Sequence, residues 1–355
     1  MAKPPSERDE LIAQLVLQLA LTRIKTAPKQ AIALLEAARQ LAISDFEISI
    51  FRIQAFLRIG ETKETLAETG RLLEKGGLSP VQRALVLRTH GSALGIAGQT
   101  QRGLEAGEAA HSASREAGDV IEEMYVVGLL GTLHSESGSF EKAEEYLRKA
   151  LDFHTGMDNK QSMAQVMANL ARLHSFRKDY TGAKDVALQA IALHREVGNS
   201  AGETLNLANY SGFCLSNGDF DEARACTAQA LTLAEPLGME HEILRSRTVQ
   251  DCATILAVRA SLAGLACFTI DDSARAQLSG ALEGLLRALD IPQKYRTNAM
   301  YFETSACRAI GLFLVGRSAE AVAEAQNALA IVPPGEPDAL NARLLADVRW
   351  IAGRK

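Results

Sequence analysis

Between Met124 and Asn159 apolar residues recur three and four apart on both sides of a Gly138-Ser139 break, and Ala143, Tyr146, Leu147 and Ala150 line one face of the segment after it. The pattern predicts two helices and a turn. Neither helix can bury its apolar stripe alone, so the hairpin needs neighbours of its own kind. A shift of 40 residues supplies them: Gly138, Phe140, Ala143 and Ala150 return as Lys178, Tyr180, Ala183 and Ala190, and again as Gly218, Phe220, Ala223 and Ala230. Upstream the same step reaches Gly98, Thr100, Gly103 and Ala110. Small side chains at the two Ala positions let helix axes approach to the usual ~8–10 Å.

Outside this stretch the pattern is looser. Residues 1–5 read as a flexible terminus and Ser6 as an N-cap, followed over 6–79 by two divergent hairpins. The first turns at Ala27-Pro28, with Ala31, Leu34, Leu35 and Ala38 apolar on its second helix; the other pairs Asp45–Ile59 with Thr62–Lys75 about Gly60. Ser79-Pro80 opens the regular array, 80–238, broken between hairpins at Gly118-Asp119, Met157-Asp158-Asn159, Gly198-Asn199 and Pro236-Leu237-Gly238. The phase then slips. The next small pair is Ala281 and Ala288, 58 rather than 40 residues beyond Ala223 and Ala230, so 239–335 holds about 18 extra residues as a long first helix or an inserted element between 240 and 272. Ala321 and Ala328 restore the period, and 336–355 reads as a capping helix carrying Trp350.

The run Leu130-Gly131, His134, Gly138-Ser139-Phe140, Ala143 and Ala150, repeated as Leu170-Ala171, His174, Asp179-Tyr180, Ala183 and Ala190, resembles the tetratricopeptide repeat (TPR) in the 40-residue form seen in kinesin light chains and bacterial sensor proteins. The resemblance implies an all-α, right-handed α-α superhelical solenoid of helical hairpins, with the first helix of each hairpin lining a concave groove that holds an extended peptide. Carried over by phase, the groove positions are Arg88 and Ser92; Tyr125, Thr132 and Glu136; Gln165, Asn169, Arg172 and Phe176; Asn209 and Gly212; and Arg245. Asn169 and Asn209 are equivalent in successive repeats, and such an amide can both donate to and accept from a peptide backbone. Arg172, Asn209 and Arg245 partly match the clamp by which some members of the family grip a chaperone's acidic tail, but Ala168 and Val249 stand where further polar residues belong. Chaperone binding is therefore not expected; a preference for an acidic or carboxylate-bearing partner is, because the arginine fork suits a carboxylate.

Charge and candidate chemistry narrow the classes. A net charge of -5 and a pI near 5.9 exclude general nucleic-acid binding. The five cysteines, all beyond residue 213 and without CxxC spacing, read as reduced thiols rather than a disulfide or zinc framework. His134, His154, His174 and His194 lie 20 apart, yet they alternate between two repeat positions a hairpin apart, too far to share a metal. No GxxxxGK[ST], GxGxxG or GxSxG occurs, so no cofactor and no catalysis are expected. No apolar run reaches the length of a membrane span, which suggests a cytoplasmic protein. The uncharged segment 261–270 offers Leu262, Leu265 and Phe268 as a partner or dimer contact, against plain packing. The reading is a non-catalytic protein- or peptide-binding scaffold; the alternatives are the sensor module of a bacterial signalling or transcription-control system and a homodimerising scaffold.

Overall fold

In the computed structural model the described residues are 7–38, 44–262, 264–265, 268–289, 298–333 and 337–354. Ser6 as a cap, the terminus before it and the Cys267 thiol lie outside them. Among the described residues all regular structure is helical. The chain divides into two compact units, 1–176 with 237–239, and 177–236 with 240–355.

The first unit holds α1 (Glu7–Thr26), α2 (Pro28–Ala37), α3 (Asp45–Arg58), α4 (Thr62–Lys75), α5 (Pro80–Ile96), α6 (Thr100–Ala117), α7 (Val120–Glu136), α8 (Phe140–Gly156) and α9 (Lys160–Phe176). Each helix packs on the next, and the first helices of successive hairpins also touch, α5 on α7 and α7 on α9. Second helices are sheltered between them. Thus Ala143, Leu147 and Ala150 of α8 are buried against Met124 and Val127 of α7 and Val166 and Leu173 of α9. A Cβ on Gly131 would come within 2.7 Å of the Leu147 side chain, which is why this position takes the smallest residue here and alanine one repeat later.

The period has a backbone cause. Helices of 17 or 18 residues end on a residue in the left-handed region, and such residues recur every 20 positions: Gly98, Gly118, Gly138, Asp158, Lys178, Gly198, Gly218 and Gly238. Only Asp158 (φ 48°) and Lys178 (φ 62°) among them carry a Cβ. The residue that follows often caps the next helix. Asp119, Asn159, Asp179 and Asn199 each accept from a backbone N–H three residues on, at 2.9–3.1 Å.

The second unit holds α10 (Tyr180–Glu196), α11 (Ser200–Asn217), α12 (Phe220–Leu237), α13 (Glu240–Ser261), α14 (Asp272–Leu289), α15 (Asn298–Leu314), α16 (Ser318–Leu329) and α17 (Ala339–Ala352). The excess after Gly238 needs no extra helix among the described residues. α13 runs four residues further than α11 does when shifted by 40, the link to α14 covers 262–271 where 218–219 suffice one repeat earlier, and Ala281 is the tenth residue of α14 where Ala223 is the fourth of α12. First helices again touch in succession, α11 on α13 and α13 on α15. α17 packs on α15 and α16 as the next first helix would, and it also reaches back to α11. Its stripe of Leu340, Leu344, Val348 and Ile351 is buried, and α15 is buried on nearly every side from Phe302 to Leu314.

Candidate functional site

The inner face of the first unit is built from α5, α7 and α9, the first helices that touch in succession. Two charged rungs tie these helices together. Arg88 Nε on α5 donates to Glu122 Oε1 on α7 at 2.6 Å, and Arg172 Nη2 on α9 donates to Glu136 Oε1 on α7 at 3.0 Å. Each guanidinium also lies over an aromatic ring, Arg88 over Tyr125 at 5.5 Å and Arg172 over Phe176 at 5.8 Å. The Tyr125 hydroxyl lies 3.1 Å from Ser162 Oγ, and its ring meets buried His154 at 5.2 Å.

Of the expected groove residues, these two rungs bring together Arg88, Tyr125, Arg172 and Phe176. Tyr125 and Phe176 remain 37% and 42% exposed, so part of each ring is open. Gln165 is exposed and Asn169 half-buried on the same helix, and the Asn169 amide makes no hydrogen bond to any described residue. Thr132 turns inward instead: its hydroxyl donates to the Gly128 carbonyl of its own helix at 3.1 Å.

Asn209 and Arg245 belong to the second unit, where they bond each other. Arg245 Nη2 donates to Asn209 Oδ1 at 2.7 Å and to the Ala208 carbonyl at 3.2 Å, and Nη1 lies 3.7 Å from Glu242 Oε2. Burial raises the Glu242 pKa, but His241 and Arg245 outweigh it and hold the carboxyl below its ordinary value. Both arginines of the expected acidic-partner site, Arg172 and Arg245, thus already face an oxygen of the chain, as does Arg88 of the wider groove. Sequence spacing could not reveal this, because Glu122 and Glu136 lie 34 and 36 residues from their arginines, off the 40-residue phase.

The three candidates of the uncharged segment are at least partly covered within their own unit. Leu265 is 6% exposed, Phe268 packs against the Phe313 ring at 5.8 Å, and Leu262 is half-buried. A second feature that sequence reasoning missed lies in this unit: the polar contacts of α17. The Tyr180 hydroxyl donates to Asp338 Oδ2 at 2.5 Å, Arg259 grips Asp347 with Nε and Nη2 at 2.9 and 2.8 Å, and Asn341 Nδ2 donates to Glu303 at 3.3 Å. Burial pushes the Glu303 carboxyl up to about 7. No three His, Cys, Asp or Glu side chains among the described residues are placed to hold a metal, and no described helix is long and apolar enough to cross a membrane.

The geometry defines a class first, that of helical-hairpin repeat proteins. Residues 123–196 match the model of the tetratricopeptide repeat, and no curated protein matches the chain. Three solved structures share its fold. A Rap protein complexed with Competence and Sporulation Factor is 13% identical, with 97% of this chain and 90% of that one covered and a TM-score of 0.65. A STAND signal-transduction ATPase with a tetratricopeptide repeat sensor, from Pyrococcus horikoshii, is 16% identical over 99% of this chain and 51% of that one, with a TM-score of 0.62. NprR in complex with its cognate peptide NprX is 11% identical over 96% and 99%, with a TM-score of 0.52. Residues 123–196 thus carry the tetratricopeptide repeat, and the chain as a whole shares the helical-hairpin fold of these structures.

Proposed function

We propose that this protein binds an extended segment of a protein or peptide along the inner face of α5, α7 and α9. The observation that carries the reading is the state of that face: Asn169 has an uncommitted amide, Gln165 beside it is exposed, and Tyr125 and Phe176 present half-open rings held by arginines. An extended backbone needs one donor and one acceptor per residue, and a side-chain amide offers both. The likeness in fold to NprR bound to its cognate peptide, and to a Rap protein bound to a signalling factor, supports the same reading.

A preference for carboxylates acts here only by exchange. An acidic partner must displace Glu122 from Arg88 or Glu136 from Arg172, so each such contact adds only the ~0–1 kcal/mol of a part-exposed ion pair. Peptides retained from a peptide library on the purified chain provide the test ligand. Its affinity should fall at least tenfold in Asn169→Ala and stay within about twofold in Asn209→Ala, whose amide is already taken. Equal affinity of Asn169→Ala and wild type, with helicity intact, would remove the proposal. The reading as a regulatory sensor adds a change of shape on binding, read by small-angle scattering with and without that peptide.

A second copy of the chain is the alternative partner. α1 exposes Leu11, Leu15 and Leu19 at 57%, 60% and 45%, four residues apart on one face, and no charged residue lies between Leu11 and Thr22. Two such faces can pack without burying a charge. A mass that rises with concentration in wild type but not in Leu15→Glu supports the homodimer; monomers throughout exclude it.

A further inference from the structure

α17 is held in the second unit by two kinds of contact. Leu340, Leu344, Val348 and Ile351 form the buried stripe that any stacked helix needs. Acids at its cap and on its flank reach past the neighbouring hairpin, and an amide bonds within it. Asp338 takes the hydroxyl of Tyr180 at the start of α10, Asp347 takes the fork of Arg259 at the end of α13, and Asn341 bonds Glu303 on α15. Trp350 then meets Phe313 edge-on at 5.2 Å, under the Arg354 guanidinium. The partners of α17 lie as many as 158 residues upstream, so this helix closes the inner side of the second unit rather than merely ending it.

Several of these contacts are poor choices for permanent packing. The Arg259 and Asp347 side chains are 13% and 11% exposed, and a nearly buried ion pair gives little net stability over apolar residues of the same size. Asn341 Oδ1 is buried without a partner. Polar, incompletely satisfied interfaces are those that proteins exchange. What they provide is a pattern: an acidic cap, a second acid nine residues on, and an aromatic three residues after that.

We propose that the inner surface of the second unit, centred on Tyr180, Arg259 and Phe313, is a docking site for an amphipathic helix of that acidic pattern from a partner protein, and that α17 is its resident intramolecular occupant. The partner helix replaces α17 and frees it. All the residues concerned lie in the second unit, so this site stands or falls separately from the peptide face of the first.

The test uses the full chain and, as probe, a fluorescent synthetic peptide of residues 337–354. Wild type should bind it at least tenfold more weakly than the Asp338→Ala, Asp347→Ala double variant, whose own α17 has lost its polar anchors. A probe in which the position equivalent to Asp347 is Ala should lose that gain. Hydrogen exchange on wild type needs no variant: α17 amides should exchange at least a hundredfold faster than those of α15. Failure of the folded double variant to bind the probe, or exchange of α17 and α15 as one unit in wild type, would overturn the proposal. Dimers that trade α17 between copies would overturn the choice of a foreign partner.

Discussion

The left-handed turn residues and the buried histidines are the single positions on which the repeat depends most. A residue without Cβ adopts φ near +60° freely, whereas one with Cβ is strained by roughly 1 kcal/mol. Asp158→Gly should therefore raise the free energy of unfolding by about 0.5–1 kcal/mol, and Gly138→Ala should lower it by about 1 kcal/mol, both read by denaturant titration. His154 and His194 are 1% and 2% exposed, and burial holds both imidazoles below their ordinary 6.5. Between the folded values and about 6.5 the unfolded chain then binds more protons than the folded one. Their contribution to stability is complete above pH 6.5 and is lost as pH falls through that window. Denaturation midpoints at pH 7.5 and 5.5 should differ less in His194→Leu than in wild type. The 40-residue spacing of these two histidines was legible in the sequence as a repeat register. Their burial follows from sitting on the second helix, next to the turn, where the following hairpin covers them.

Among elements, the second helices carry most of what the sequence encodes. Ala143, Ala183 and Ala223 are wholly buried, as expected of positions where axes come close, and the α3 and α4 boundaries fall within a residue of those read from the pattern. Ala183→Leu should cost about 1–3 kcal/mol by overpacking, whereas Leu188→Ala, at a 49% exposed position of the same helix, should change stability by less than about 0.5 kcal/mol. The first helices were less legible. Their buried side is fixed by the same 40-residue phase, but their inner side is set by cross-helix rungs whose spacing is that of a diagonal contact. Arg88, Arg172 and Arg245 consequently appeared available in the sequence and are engaged in the structure. The polar role of α17 was invisible for a related reason: Tyr180 with Asp338 and Arg259 with Asp347 join hairpins that are not neighbours, and periodicity reports only neighbours.

At the scale of the molecule, the α-hairpin repeat and its inner face account for one unit that leaves the Asn169 amide uncommitted and two rings part-exposed, and another that fills its inner side with its own last helix. In the proposed function, capture of an extended segment falls to the first. Site-specific photocrosslinking tests that assignment most directly. A photoreactive residue at Gln165, exposed on the inner face, should attach to the bound peptide, while one at Arg148, 69% exposed on α8, should not. Attachment from position 148 and none from 165, with the peptide bound in both cases, would contradict it.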